Sequence, residues 1–270
     1  AADFMVRLVV DYTSQLDYPQ LPVPAKFVDV TRQSGLLDAS GQFLRADMAS
    51  IVDWNSDGFE DVAVGGRFFQ NQGDGTFRSV EIGITGSVTS WADIDGDGDM
   101  DCMAVNGFRN DRFYRNDGGT FFDVTDETDF SNDAPAVTPL WFDYDGDGDI
   151  DIFIANGRRE QNGTETYYRD ELYTNNGDWT FTQSTLSSRI AAAEPPPFFD
   201  TWGASLCDFN DDGRTDIFVA TYRLAPDRLY RNNGDGTFTD VSTSSGIRGM
   251  ATSVPDYFGH GMGSDWADID

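Results

Sequence analysis

The sequence predicts an all-β protein, a β-propeller of four-stranded antiparallel blades. Three observations predict it: a nine-residue aspartate loop recurs along the chain, short apolar runs flank each copy, and first aspartates are spaced 40, 50, 65 and 60 residues apart. Four-stranded units of about this length are what propeller blades are made of. The loop reads DxDxDGxxD, with Asn sometimes at the third place. The copies are Asp53, Asn55, Asp57, Gly58 and Asp61; Asp93, Asp95, Asp97, Gly98 and Asp101; Asp143, Asp145, Asp147, Gly148 and Asp151; and Asp208, Asn210, Asp212, Gly213 and Asp216. A fifth copy opens at Asp268 and Asp270, the last residue of the sequence.

Oxygen ligands at alternate positions of a tight loop, with Gly for the turn, suit a hard cation that takes six to eight oxygens at about 2.3 to 2.6 Å, which is Ca²⁺. An EF-hand shares the first six positions but needs a bidentate Glu at position twelve. Here that position holds Val64, Ala104, Ile154 and Val219, none of which coordinates through its side chain. The carboxylates at position nine, Asp61, Asp101, Asp151 and Asp216, are therefore expected to complete each site together with the carbonyl of position seven. About four Ca²⁺ sites follow, with a fifth incomplete at Asp268 and Asp270.

The flanks supply the strands. An apolar residue stands two places before each first Asp (Ile51, Trp91, Trp141, Leu206 and Trp266) and another at position two (Trp54, Ile94, Tyr144, Phe209 and Ile269). Each loop is followed by a β-branched or otherwise apolar run, at 62–64, 102–105, 152–155 and 217–220, which reads as a buried second strand. A third strand recurs at 67–71, 112–116, 171–175 and 228–232, always ending in Asn. A Gly/Asn/Asp turn comes next, built of residues that tolerate positive φ. Fourth strands then begin at Thr76, Thr120, Thr180 and Thr237, each followed by Phe. The blades so defined span about 45–80, 87–125, 137–185 and 203–242, with a partial one at 261–270. The unequal spacing is expected to come from insertions between one blade and the next, at 126–139, 183–203 and 243–263.

Taken together, the segment 91–101, the apolar second strands ending in Asn-Gly, the segment 229–242 and the closing segment 259–270 resemble the FG-GAP/VCBS repeats of integrin-α-like β-propellers, and among these the relatives of cartilage acidic protein. The resemblance covers residues 27–270. It implies a radial array of blades with calcium in the loop joining strands one and two of each, held by the aspartates and asparagines named above. It implies adhesion or ligand display more than any reaction. The departures are Asn55 and Asn210, which replace a carboxylate and should weaken their sites, and Asp178-Trp179 where the third turn would carry Asp-Gly.

Phe27-Val-Asp-Val-Thr31 matches the fourth-strand segments at 121–125 and 238–242, so the array opens on a fourth strand. Such an offset lets an N-terminal strand complete a last blade and hide sheet edges. With the fifth copy broken off, the sequence predicts further blades or domains beyond this chain. Residues 1–26 read as a strand at 4–11 followed by a linker punctuated by Pro19, Pro22 and Pro24.

Composition narrows the partners. A net charge of -29, from 47 acidic and 18 basic residues, opposes compaction by self-repulsion. Fourteen carboxylates stand at positions one, three, five and nine of the four complete loops, where calcium would offset them. So acidic a surface excludes nucleic acid and anionic membranes as partners, and no apolar run is long enough to span a bilayer. Loops of this kind suit a calcium-rich compartment: extracellular, cell-surface or periplasmic. Cys102 and Cys207 read as small buried apolar residues, and Asn162-Gly-Thr164 is a glycosylation sequon.

No GxSxG, HExxH or Cys/His arrangement is present, and the single histidine, His260, reads as a positioning residue, so no enzyme is predicted. Aromatic residues of the inserted loops, 195–199 with Trp202 and 255–258, offer rings for a sugar face or a peptide, or else pack as loop cores. Two functions from different classes stand: a calcium-stabilised protein-binding or adhesion module, and a carbohydrate-active propeller, either a lectin or a calcium-dependent polysaccharide-cleaving enzyme. Loops that fill their own coordination shells argue against metal catalysis, which needs an open position.

Overall fold

The computed structural model describes residues 28–44, 48–106, 111–190, 200–222, 225–247 and 264. They form an all-β chain of four-stranded antiparallel blades with little helix. Blade one is β1 (Ala49–Val52), β2 (Asp61–Val64), β3 (Arg67–Asn71) and β4 (Phe77–Val80). Blade two is β5 (Val88–Ala92), β6 (Asp101–Val105), β7 (Arg112–Asp117) and β8 (Thr120–Asp123). Blade three is β9 (Ala136–Phe142), β10 (Asp151–Asn156), β13 (Glu171–Asn175) and β14 (Phe181–Gln183), interrupted by a separate hairpin of β11 (Arg158–Gln161) and β12 (Thr164–Tyr167). Blade four is β15 (Thr201–Cys207), β16 (Asp216–Thr221), β17 (Arg228–Asn232) and β18 (Phe238–Asp240). Each blade is a meander in strand order one to four.

The β11–β12 hairpin corrects one expectation. Part of the long spacing between Asp143 and Asp208 lies inside blade three, between its second and third strands, and not only between blades. A second correction concerns the segment at 27–31. Val28, Asp29 and Val30 form no strand, and Thr31–Ser34 make a helical turn, α1. The same turn follows the fourth strand of blade two, where Thr125–Glu127 is a 3-10 helix. The strand expected at 4–11, the linker with Pro19, Pro22 and Pro24, His260, the 195–199 and 255–258 aromatics, and Asp268 and Asp270 lie outside the described residues.

Successive blades pack face to face, which explains why the second strands are apolar at nearly every position. In a strand, alternate side chains point to opposite faces, so a strand covered on both sides has no polar face. Cys102 and Ala104 of β6 join Val52, Trp54 and Phe68 of blade one, whereas Met103 and Val105 join Ile152, Ile154 and Tyr173 of blade three. On the other face of β10, Phe153 and Ala155 pack against Ile217, Val219 and Tyr230 of blade four. The core is thus three inter-blade clusters, each closing one interface. Burial on the order of 25 cal/mol per Å² of apolar area makes these clusters the main stabilising term.

The first strands run side by side, β1 beside β5, β5 beside β9, and β9 beside β15. Small hydroxyls mark the register: Ser50 Oγ lies 2.9 Å from Thr89 Oγ1, and Ser90 Oγ donates to the Pro139 carbonyl at 3.4 Å. Ser264 meets Ser205 in the same way, at 2.7 Å. Ser205 and Ser264 stand three and four residues before their first aspartates, as Ser50 and Thr89 do. Among the described residues no helix is long and apolar enough to cross a membrane.

Candidate metal-binding loops

All four complete loops connect the first and second strands of a blade. The backbone enters the left-handed region at two places in each. Position six is always Gly, with φ of 87°, 96°, 97° and 80° at Gly58, Gly98, Gly148 and Gly213, where a side chain would be strained. Position four is left-handed as well, at Ser56, Gly96, Gly146 and Asp211. This double reversal turns successive N–H groups inward. The Gly at position six donates to Oδ2 of the first aspartate at 2.7, 3.0, 3.1 and 2.8 Å in loops one to four. Position seven donates to Oδ1 of position five at 2.9 to 3.1 Å.

Position nine sits differently. Asp61, Asp101, Asp151 and Asp216 are fully buried, at 0 % exposure. Each Oδ1 accepts the backbone N–H of the asparagine that ends strand three: Asn71, Asn116, Asn175 and Asn232, at 2.7 to 2.9 Å. Oδ2 accepts the N–H of position two from Ile94, Tyr144 and Phe209, at 2.8, 3.0 and 3.2 Å. In loop one Asp61 Oδ2 completes no hydrogen bond, although the Trp54 N–H lies close enough to lower its pKa. A carboxylate has about four lone-pair sites, so two N–H bonds leave capacity for a cation.

Electrostatics make these carboxylates costly when no cation is present. Burial, reinforced by neighbouring aspartates, pushes Asp101 and Asp151 up to about 7 and Asp61 up to about 6, and raises Asp216. Buried charge without a counter-ion is strongly disfavoured. In loops two and three, positions one, three and nine (Asp93, Asp95 and Asp101; Asp143, Asp145 and Asp151) each bring a carboxylate oxygen within 4.8 Å of the others. These two clusters could hold a metal ion. Asp93 Oδ1, buried and without a hydrogen-bond partner, is the kind of orphan acceptor such an ion would satisfy. The donor set is all oxygen, which suits a hard cation and not a thiophilic one.

Loops one and four differ in carrying Asn55 and Asn210 at position three, where loops two and three carry Asp. Among the described residues no group of three carboxylates converges in either. Asn210 turns its amide toward Asp212, donating at 2.8 Å. Arg214, at position seven, places Nη2 2.5 Å from the same Asp212 Oδ2 and so supplies an internal cation. Sequence reading passed over Arg214. It also read Trp179 only as a departure, whereas its indole Nε1 donates at 3.1 Å to Asp95 Oδ2, in the loop of the preceding blade, from a backbone with φ of 71°.

A second recurrent aspartate escaped notice. Asp111, Asp170 and Asp227 precede the third strands and accept the N–H of Asn106, Asn156 and Thr221, at 3.3, 2.7 and 2.9 Å, closing the opposite end of each blade. Its place one residue before each of three aligned third strands was the available signal. Cys102 is buried and Cys207 half-buried, both free thiols. Asn162 lies exposed at the tip of the β11–β12 hairpin, and Trp202, 40 % exposed, packs on Tyr222 with ring centroids 4.7 Å apart.

Comparison with known proteins fixes the family. The FG-GAP-like repeat model matches four times, at residues 53–104, 93–154, 143–219 and 208–270, the first three matches running from one aspartate loop past the next and the fourth from loop four to Asp270. The chain belongs to the FG-GAP-like repeat family. A search of curated protein sequences gives no match. Among solved structures it is similar to an Agrocybe aegerita lectin that recognises non-reducing terminal N-acetylglucosamine (20 % identity, TM-score 0.45, 75 % of this chain and 53 % of that one). It is also similar to the V. cholerae biofilm matrix protein Bap1 (19 %, 0.42, 80 % and 32 %) and to the Photorhabdus luminescens Tc holotoxin pore (19 %, 0.40, 73 % and 9 %). The chain therefore spans about half, a third and a tenth of the length of these three.

Proposed function

We propose that this chain is a calcium-binding β-propeller module of an extracellular, cell-surface or periplasmic protein, which displays its blades to a protein or glycan ligand in adhesion or scaffolding. The observation that carries the calcium reading is the fully buried position-nine carboxylate, present in all four loops and flanked by further oxygens with no basic side chain among the ligands of loops two and three. Asp53, Asn55, Asp57 and Asp61, Asp93, Asp95, Asp97 and Asp101, Asp143, Asp145, Asp147 and Asp151, and Asp208, Asn210, Asp212 and Asp216 would hold the ions, loops two and three most tightly. Bound calcium would supply charge neutralisation and fix each loop. Every loop is built around its own backbone and side-chain oxygens, which supports a binding and not a catalytic use.

A second reading, carbohydrate binding, is favoured by the exposed Trp202 ring packed at a tilt against Tyr222, since an aromatic face can pack on a sugar. Thermal unfolding in millimolar Ca²⁺, in Mg²⁺ and in chelator tests the first reading. A large stabilisation specific to Ca²⁺ is expected, and equal midpoints in all three would overturn it. A glycan array with native protein and Trp202→Ala tests the second: binding lost in the variant supports it, and no glycan binding by the native protein removes it.

A further inference from the structure

We propose that Asn116, Asn175 and Asn232 are positioning residues that couple each metal loop to its neighbour, so that the sites bind calcium cooperatively. The inference rests on the calcium reading above. The asparagines do more than end their strands. Asn175 Nδ2 donates to the Ile94 carbonyl of the preceding blade at 3.0 Å, Asn232 Nδ2 to the Tyr144 carbonyl at 2.9 Å, and Asn116 Nδ2 to the Trp54 carbonyl at 2.8 Å. All three acceptors are position two of the neighbouring loop, between ligand positions one and three.

These bonds join the position-nine carboxylates into one chain. Asp216 Oδ1 holds the Asn232 N–H, Asn232 Nδ2 holds the Tyr144 carbonyl, and the Tyr144 N–H is held by Asp151 Oδ2. Asp151 Oδ1 in turn holds the Asn175 N–H, Asn175 Nδ2 the Ile94 carbonyl, and Asp101 Oδ2 the Ile94 N–H. Asp101 Oδ1 then holds Asn116, whose amide ends on Trp54. The carbonyl of Ile94 belongs to the peptide that leads into Asp95, so the clamp fixes a ligand as well as the backbone beside it.

Burial makes the relay stiff. Asn116, Asn175 and Asn232 are at most 2 % exposed, and Trp54, Ile94 and Tyr144 at most 6 %. A loop that shifts without its neighbour strands a buried donor or acceptor, which water cannot rescue. A metal that orders one position-nine carboxylate therefore pre-orders position two of the preceding loop. Linkage requires the effect to be reciprocal.

The test follows loop two while loop three is disabled by Asp143→Asn with Asp147→Asn. Terbium serves as the calcium surrogate, and its luminescence excited through Trp179, whose indole touches Asp95, reports loop two; Trp179→Phe gives the background from other loops. Disabling loop three is expected to weaken loop two about tenfold, within the usual range of coupling. In an Asn175→Ala background the same lesion should leave loop two unchanged, an outcome that a purely structural asparagine would not give. A loop two indifferent to loop three in the native background overturns the coupling, and this arm decides even where Asn175→Ala does not fold. Terbium and calcium bound by no loop would overturn the calcium reading, and the coupling with it.

Discussion

The indole of Trp91 stacks on that of Trp54 across the first blade interface, with ring centroids 6.0 Å apart and planes inclined by 26°. Trp91 also meets Phe68 and Phe121 edge-on, and its Nε1 donates to Ser50 Oγ at 3.0 Å. Trp141 does the same at the next interface, meeting Phe113 at 6.3 Å and donating to Ser90 Oγ at 2.9 Å. Ile51 holds this place in blade one and is 63 % exposed. The apolar residue two places before loops two, three and four, Trp91, Trp141 and Leu206, thus acts as the plug of an interface, and Ile51 does not.

Trp91→Ala should therefore cost about 3 kcal/mol, the low end for deleting a large aromatic since Trp91 is only half-buried. Ile51→Ala should cost well under 1 kcal/mol, as exposed positions usually do. Urea unfolding of the two variants checks this. Equal losses would mean that the plug position acts through its own strand and not through the interface.

Asp151→Ala leaves two buried N–H groups, of Tyr144 and Asn175, without an acceptor, at about 1 to 3 kcal/mol each. The loss should persist in chelator. Asp147 is exposed and accepts only a local loop N–H, so Asp147→Ala should lower the melting temperature in calcium and hardly at all in chelator. Parallel melts in the two buffers separate the structural carboxylate from the one that matters through the ion.

Arg214→Gln should tighten calcium at loop four several-fold, because the guanidinium that sits on Asp212 competes with the ion for the same oxygen. Isothermal titration of native and variant protein reads the change. Unchanged affinity would place the ion away from Asp212.

Asp111 gives the pH dependence outside the metal loops. Burial pushes its carboxyl up to about 6 from the ordinary 3.8. Between those values the folded state holds a proton that the unfolded state releases, so this group's contribution to stability falls as pH rises. In saturating calcium, Asp111→Asn should gain on the native protein between pH 4 and 7, by comparison of urea midpoints. A difference that does not change with pH would mean the carboxyl titrates normally.

The aspartate loops and their strands are legible in the sequence because their information is local. Gly58, Gly98, Gly148 and Gly213 are required by a backbone turn within nine residues, and the second strands announce burial on both faces by lacking a polar side. Their recurrence sets the period, and the period sets the blade. The β11–β12 hairpin was missed because it breaks the repeat only once, and 28–30 was misread because a segment matching fourth strands by sequence forms none in the structure.

What the tertiary structure alone decided is who meets whom. That Asn175 reaches Ile94, 81 residues back, and that Trp179 leaves its own blade for Asp95, depends on stacking one sheet against the last at a fixed register. The sequence determined by itself the loops, the strands and the recurrent carboxylate positions, since each is a property of a short stretch of backbone. The links between loops came only with folding, because hydrogen bonds between distant residues exist only when inter-blade burial holds donor and acceptor within reach and keeps water from replacing either.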